Sequence, residues 1–405
     1  MNGNIGIRVP DVRRIAVLRG GGLGDFIFAL PALDALRATY PHAEILLLGR
    51  ETIEPLVVDR PGPIDRFVRM PALDWFGGSP TSDGSTDGRG DRRTERDVER
   101  DADAVLAEVA REGVDIAVQL HGGGSESNPA IARLDARVTV GMQAPGAPPL
   151  DRAIPYIYYQ SEVMRYLEVV GLVGAAPVGF EPRYRGLRAA DRAEALAALA
   201  TAAGDGVSAN AVAEGREFAG DRRPLVVVHP SASDPRRRWP AESFAAVADS
   251  VAARRARVSV IGTSAERGIV AAVVGSMHHD AIDLAGRLSL PGLAGLLAEA
   301  DLVVANDSGP LHLAASVGTA TVGIFWCGNL INAGPFTRAA HRPVLSWRLD
   351  CPVCGVDCTR GTCPHTASFV EDAPVDEAIS AAVDLLDQAP HDRQTAARIP
   401  AAAAV

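Results

Sequence analysis

The sequence predicts an α/β protein made of two doubly wound units facing each other across a cleft. Three observations carry this. A strand, glycine turn, helix, strand pattern opens near Arg14, and a strand, polar loop, helix, strand pattern restarts near Pro224. The 405 residues exceed what one hydrophobic core usually serves. The apolar share is mainly Ala, Val and Leu, with only 5% aromatic residues, as suits helices packed on a parallel sheet.

Residues 14–19 form a short apolar run that ends in Gly20-Gly21-Gly22-Leu23-Gly24-Asp25. Helical periodicity follows over 26–40, with Ile27, Leu30, Leu33 and Leu36 on one face. Residues 43–49 read as a second buried strand, which completes a parallel βαβ unit. Further strands are expected at 114–120, running into His121, and at 136–140. Between the strands at 43–49 and 114–120, the stretch 77–103 is rich in Gly, Ser, Asp and Arg. Such a stretch buries too little to offset its ordering entropy and reads as a flexible insertion, either an inert loop or an acceptor-side lid. An Ala-rich helix at 189–203 leads to a polar linker at 205–223. The second unit then alternates strands at 225–228, 258–261, 281–284, 302–305 and 320–325 with helices at 241–255, 266–275, 290–300 and 311–317. An amphipathic helix at 376–388 precedes an Ala-rich tail, 389–405, that reads as disordered. The expected organisation is thus a first domain at 1–204, a linker at 205–223, a second domain at 224–388 and the tail.

Bulk properties exclude several functions. A net charge of −10 argues against a protein that reads a nucleic-acid backbone, which needs a basic face. The sequence has no lysine; all 40 basic residues are arginine. That rules out a lysine Schiff base, pyridoxal-phosphate chemistry and a Walker A loop. No stretch is apolar for long enough to span a bilayer, and the N-terminus shows no signal peptide. The expected location is the cytoplasm, with peripheral contact at the inner face of the membrane left open.

Four loops at strand ends carry reactive side chains, where ligands of open α/β sheets bind. In the first, Gly22 and Gly24 allow close backbone approach, and Asp25 either caps the helix or acts as a general base. The spacing is not the dinucleotide pattern G-x-G-x-x-G, although Glu51 stands where a ribose-binding acid would be needed. The second loop, 229–240, holds Ser231 and Arg236-Arg237-Arg238, a phosphate site or a solvated charge run. In the third, Glu266 either contacts a nucleoside or simply favours a helix start. The fourth, Asp307-Ser308-Gly309-Pro310-Leu311-His312, combines capping residues with helix-start amides that suit a diphosphate.

These motifs, in this order, resemble glycosyltransferase family 9, the family of the ADP-heptose:lipopolysaccharide heptosyltransferases. The resembling features are Gly-Leu-Gly-Asp followed by Leu30-Pro31-Ala32-Leu33, His-Pro-x-Ala-Ser with a basic-x-Trp-Pro, the Glu266 loop, and Asp-Ser-Gly-Pro-x-His-Leu-Ala. Residues 159–165 are similar to the family's His-Glu-Val-x-Arg stretch, with Ser161 in place of the histidine and Glu162 and Arg165 on the acceptor side. The resemblance implies a GT-B fold and inverting transfer without a catalytic cofactor or metal. It implies a nucleotide-sugar donor such as ADP-heptose and a glycan or glycolipid acceptor. By the same resemblance Asp25 is the base, Arg237 takes the place of a diphosphate-binding lysine, and Glu266 contacts the donor nucleoside. Asp307, Ser308, Gly309 and His312 match the diphosphate and sugar site. A non-catalytic sugar-binding protein on this scaffold and a nicotinamide oxidoreductase are the competing readings.

The cysteines cluster late. Cys351-x2-Cys354-x3-Cys358-x4-Cys363, followed by His365, has spacing compatible with a structural zinc, with plain thiols or with disulfides.

Overall fold

The computed structural model describes residues 6–76, 95–203 and 223–388. The tail, the linker up to residue 222 and the 77–94 part of the expected insertion lie outside the described residues. Among the described residues the chain forms two parallel six-stranded sheets.

The first sheet is built from β1 (Arg14–Leu18), β2 (Glu44–Arg50), β3 (Arg66–Met70), β4 (Ile116–Gln119), β5 (Val138–Gln143) and β6 (Arg152–Pro155), in the order β3-β2-β1-β4-β5-β6. Its helices are α1 (Leu23–Thr39), α2 (Glu95–Arg111), α3 (Ser127–Ala132) and α4 (Glu162–Gly171). The central strands are continuous apolar runs because both faces are covered, as in β4, where every residue is buried. The expected insertion ends earlier than 103: Glu95–Arg111 is helical, and Ala102, Leu106 and Val109 of α2 are buried in the core beside β1 and β2. Their spacing of four and three residues is a helix face, hidden in the sequence by the charges around it.

After α5 (Ala189–Ala202), the second sheet contains β7 (Leu225–His229), β8 (Arg257–Val260), β9 (Ile282–Asp283), β10 (Leu302–Asn306), β11 (Ala320–Trp326) and β12 (His341–Ser346). Its order is β12-β11-β10-β7-β8-β9, which repeats the topology of the first sheet strand for strand. The helices are α6 (Ala241–Ala252), α7 (Arg267–Ser276), α8 (Leu290–Glu299), α9 (Gly309–Ser316), α10 (Cys327–Ala333) and α11 (Val375–Gln388). Each sheet reverses its winding once, between β1 and β4 and between β7 and β10. These switch points are where open α/β sheets bind ligands beyond the strand C-termini.

Among the described residues, two helix-on-helix contacts are the most extensive between the units. α5 lies along α8, where Gly292 and Gly295 let the backbones touch; a Cβ at Gly295 would collide with the Asp191 carbonyl. Asp191 is also paired with Arg60, at 2.6 and 3.0 Å, with both side chains buried. Gly295→Ala is expected to cost about 1–3 kcal/mol by overpacking, read as a lower urea midpoint at unchanged slope. The second contact joins α1 to α9 at the mouth of the cleft.

Candidate active site

The first half of the site grows from the end of β1. Gly21 takes a positive φ of 87° and donates its amide to the Phe76 carbonyl at 3.0 Å, which folds the glycine turn back on itself. Asp25 is then the third residue of α1. One carboxylate oxygen accepts from the Gly22 amide at 2.7 Å and the other from Arg19 Nη2 at 2.5 Å. The side chain remains 40% exposed, so Asp25 caps the helix and still faces the cleft. The Gly22 amide is thus engaged by Asp25, and Gly20 packs against Phe76, where a Cβ would lie 2.5 Å from the Phe76 carbonyl oxygen. Glu51 pairs with Arg69 at 2.9 Å.

Arg19 is among the residues that no sequence motif singles out. Its buried guanidinium binds Asp25, donates to the Gly20 carbonyl and to His121 Nδ1 at 2.9 Å each, lies over the Tyr166 ring and comes within 4.0 Å of Glu162. It therefore bridges the β1–β4 switch point. Burial alone would lower its pKa, but Tyr166, Asp25 and Glu162 outweigh that and raise it. Burial, then Arg19, lowers the pKa of His121, so this imidazole is neutral, accepting at Nδ1 and donating from Nε2 to the Trp75 carbonyl at 2.5 Å. Ser161 caps α4, with its hydroxyl accepting from the Met164 amide at 3.5 Å. Glu162 joins Arg165 at 2.6 Å and accepts from the Tyr166 hydroxyl. Arg165 is buried and donates to the carbonyls of Ile157 and Tyr158 at 2.6 and 2.8 Å. Arg165 thus holds the 157–160 loop, and Glu162 links that loop to Arg19.

The second half sits at the β7–β10 switch point. The Asp307 carboxylate is buried and binds three groups: Arg237 Nη1 at 3.1 Å, His312 Nε2 at 2.9 Å and Asn329 Nδ2 at 2.7 Å. Burial would raise its pKa, yet His312, Arg237 and Asn329 together lower it. Asp307 is the hub that fixes these three side chains. Asn329, on α10, gave no signal in the sequence. Ser308 is the N-cap residue of α9, but its hydroxyl pairs with His229 Nδ1 at 3.1 Å instead of capping the helix. The first α9 amides, of Gly309 and Leu311, receive no cap from the Ser308 side chain. Arg237 also donates to Ser233 at 3.0 Å, and Arg236 is held by Asp234. The Ser231 hydroxyl is buried without a hydrogen bond of good geometry, near the Glu266 carboxylate. Burial would raise the Glu266 pKa, but Ser231, the Thr263 amide and His229 bring it below its usual value. The Thr263 amide donates to Glu266 at 2.7 Å, so the acid both caps its turn and faces Ser231.

Burial lowers the pKa of His229 to about 4, so it is neutral when folded. Between roughly pH 4 and 6.5 the unfolded chain binds a proton that the folded chain refuses, and stability rises with pH across that window. The contribution is about 3 kcal/mol, fully present near neutrality and lost by pH 4. In urea unfolding between pH 4.5 and 7, His229→Asn should flatten this slope; an unchanged slope contradicts the assignment.

The halves meet at two glycines. A Cβ at Gly24 would lie 3.1 Å from the His312 ring, and one at Gly309 would lie 2.8 Å from the Leu23 Cβ. His312 also packs on Phe28, with ring centroids 4.5 Å apart. The starts of α1 and α9 therefore point into one cleft, with Asp25 on one wall and the Asp307 turn on the other. A cavity of about 690 Å³ adjoins them, bounded by Phe28, Tyr184, His312, Phe325 and Phe336. Of the residues predicted to bind a donor, only His312 lines it. Asp101 and Asp103 lie on α2, and Asp103 pairs with Arg133.

The cysteines form no disulfide. Cys351, Cys354 and Cys363 converge with His365, their ligand atoms all within 4.8 Å of one another, a group able to hold a metal ion. Cys358, expected among the ligands from spacing, is outside this group of four; its thiol contacts the Val356 carbonyl at 3.4 Å and lies 3.9 Å from the Cys363 sulfur.

A family model described as glycosyltransferase family 9 (heptosyltransferase) matches residues 124–347. The chain is 28% identical over 124 residues to the lipopolysaccharide core heptosyltransferase OpsX of Haemophilus influenzae; the match spans 30% of this chain and 36% of that protein. Among solved structures, a family 9 glycosyl transferase from Veillonella parvula superposes with a TM-score of 0.67 at 21% identity, covering 95% of this chain and 99% of the other. The ADP-heptose lipopolysaccharide heptosyltransferase II of E. coli does so with a TM-score of 0.65 at 16% identity, covering 93% and 99%. The two-sheet architecture is that of the GT-B fold. With more than half of its residues matched, and with the motif-bearing turns assembled on the two walls of one cleft, the chain belongs to glycosyltransferase family 9.

Proposed function

We propose that the protein transfers a sugar from a nucleoside diphosphate to a hydroxyl of a glycan or glycolipid, with inversion and without a metal in the chemistry. ADP-heptose is the proposed donor and a lipopolysaccharide core the proposed acceptor, in keeping with the names of the family and of the matched relatives. One observation carries the reading: a part-exposed carboxylate, Asp25, meets an anion-seeking helix start across a contact made by Gly24 and Gly309.

In this reading the acceptor hydroxyl attacks the anomeric carbon while Asp25 takes its proton. The bond from that carbon to the diphosphate oxygen breaks on the opposite face. Arg237 and the α9 amides stabilise the departing negative charge in a preorganised site. Asp307 and Asn329 hold Arg237 and His312 in place, while Glu266 and Ser231 receive the nucleoside. Arg19 stays protonated, keeps Asp25 aimed and ties it to Glu162, on the acceptor side. Residues 1–204 would then serve the acceptor and 224–388 the donor. No described helix is long and apolar enough to cross a membrane, and a glycolipid acceptor would be met by peripheral contact at the cytoplasmic face.

A thermal-shift panel of ADP-, GDP-, UDP- and dTDP-sugars tests the donor class. ADP-heptose should raise the melting temperature most. Equal silence from every sugar nucleotide, or a larger shift with NADPH, would overturn the reading.

A further inference from the structure

We propose that Cys351, Cys354, Cys363 and His365 bind a structural zinc ion, and that the metal-folded loop sets the position of the Arg236–Arg238 segment. A closed site of three thiolates and one imidazole suits zinc, and four protein ligands leave no open position for catalysis.

Geometry fits the ion. Tetrahedral zinc, with Zn–S about 2.3 Å and Zn–N about 2.0 Å, separates sulfur from nitrogen by roughly 3.5 Å and sulfur from sulfur by roughly 3.8 Å. Cys351 Sγ lies 3.6 Å from His365 Nδ1, and the four ligand atoms fall within 4.8 Å of one another. The turn around Cys351 is shaped for this: the Val353 amide points at its sulfur at 3.5 Å, and the Gly355 amide returns to its carbonyl at 2.9 Å. Cys358 lies beside this group and outside it: its thiol contacts the Val356 carbonyl at 3.4 Å and its sulfur lies 3.9 Å from that of Cys363.

The loop also needs a crosslink. Cys351 is the only buried residue from 347 to 368, while Trp347, Val353 and Leu349 are 71%, 60% and 46% exposed. Its one element of pairing is a single antiparallel bridge, Asp350 to Asp357. A segment without a core is held by a staple, and metal binding supplies folding free energy directly.

The loop touches both halves of the cleft. The Thr359 carbonyl accepts from the Tyr159 hydroxyl at 3.1 Å, two residues before the α4 cap. On the other side, the Phe369 amide donates to the Arg236 carbonyl and the Ser368 hydroxyl to the Arg238 carbonyl, at 2.7 Å each. These two bonds flank Arg237.

Metal analysis of the purified full chain tests the site without reference to turnover. It should return about one zinc per chain, retained in Cys358→Ser and lost in Cys354→Ser and His365→Asn. Cobalt(II) loaded in place of zinc should show the absorption of a tetrahedral thiolate site in the parent and in Cys358→Ser. Iron instead of zinc, no metal after growth in zinc-supplemented medium, or metal lost only in Cys358→Ser would overturn the assignment. The positioning role rests on the proposed donor site. It predicts that ADP binding weakens about tenfold in Cys354→Ser and that added zinc restores it only in the parent stripped by chelator. Unchanged ADP affinity in a metal-free but folded variant would overturn that role and leave the metal result standing.

Discussion

Asp25→Asn is expected to lower turnover by about 10²- to 10⁴-fold while leaving the donor dissociation constant within a few-fold of the parent value. The size follows from removing a general base, and the selectivity follows from where Asp25 sits. Its carboxylate belongs to the β1 wall, while the groups predicted to hold the donor belong to the β7–β10 wall. Asparagine keeps the volume and can still accept from the Gly22 amide, so the start of α1 should survive. The charge opposite Arg19 is lost, but Arg19 keeps its bonds to the Gly20 carbonyl and His121. Single-turnover rates and donor titrations on the same preparation read both quantities. Turnover within a few-fold of the parent would remove Asp25 from the chemistry.

Arg237→Ala is expected to cost about 10²- to 10³-fold in kcat/KM, the usual loss when one preorganised donor to a developing anion is removed. Here kcat should fall as well as affinity, because charge on the leaving diphosphate grows toward the transition state. Asp307 would keep its bonds to His312 and Asn329, so the turn should stay folded. Arg237→Lys should recover part of the loss, since the charge returns without the planar fork that now reaches Asp307 and Ser233. A rise in KM alone, with kcat intact, would place Arg237 in ground-state binding only.

The parts of the fold that were legible in the sequence were those buried on two faces. β1, β2, β4, β7, β8, β10 and β11 are apolar runs, because helices cover both sides of each sheet. The strands that went unseen, β3, β6 and β12, are all edges. They carry Arg66 and Arg69, Arg152 and Pro155, and His341 and Arg342, residues that an edge tolerates and that break an apolar run. α2 was hidden for a related reason, since its charged face outweighs the buried Ala102, Leu106 and Val109 in composition though not in spacing.

In the site, motif residues were legible and their partners were not. Asp25 and Asp307 stand beside glycines at strand ends, a local signal. Arg19, His121 and Asn329 act only through contacts made in three dimensions: Arg19 reads as the end of a strand, and Asn329 arrives from a helix 22 residues beyond Asp307. The cysteine spacing offered five candidate ligands counting His365, and in the folded loop four of them converge while Cys358 touches only the Cys363 edge of the group.

Asp25 and the Asp307 turn are proposed as the two halves of one transfer site. Incubation of the protein with ADP-heptose and a lipopolysaccharide-core acceptor, followed by quantification of ADP and NMR of the product's anomeric centre, tests it most directly. Equimolar ADP and glycoside are expected, with the anomeric configuration opposite to that of the donor. Donor binding without ADP release across a panel of acceptors, or a product with retained configuration, would contradict it.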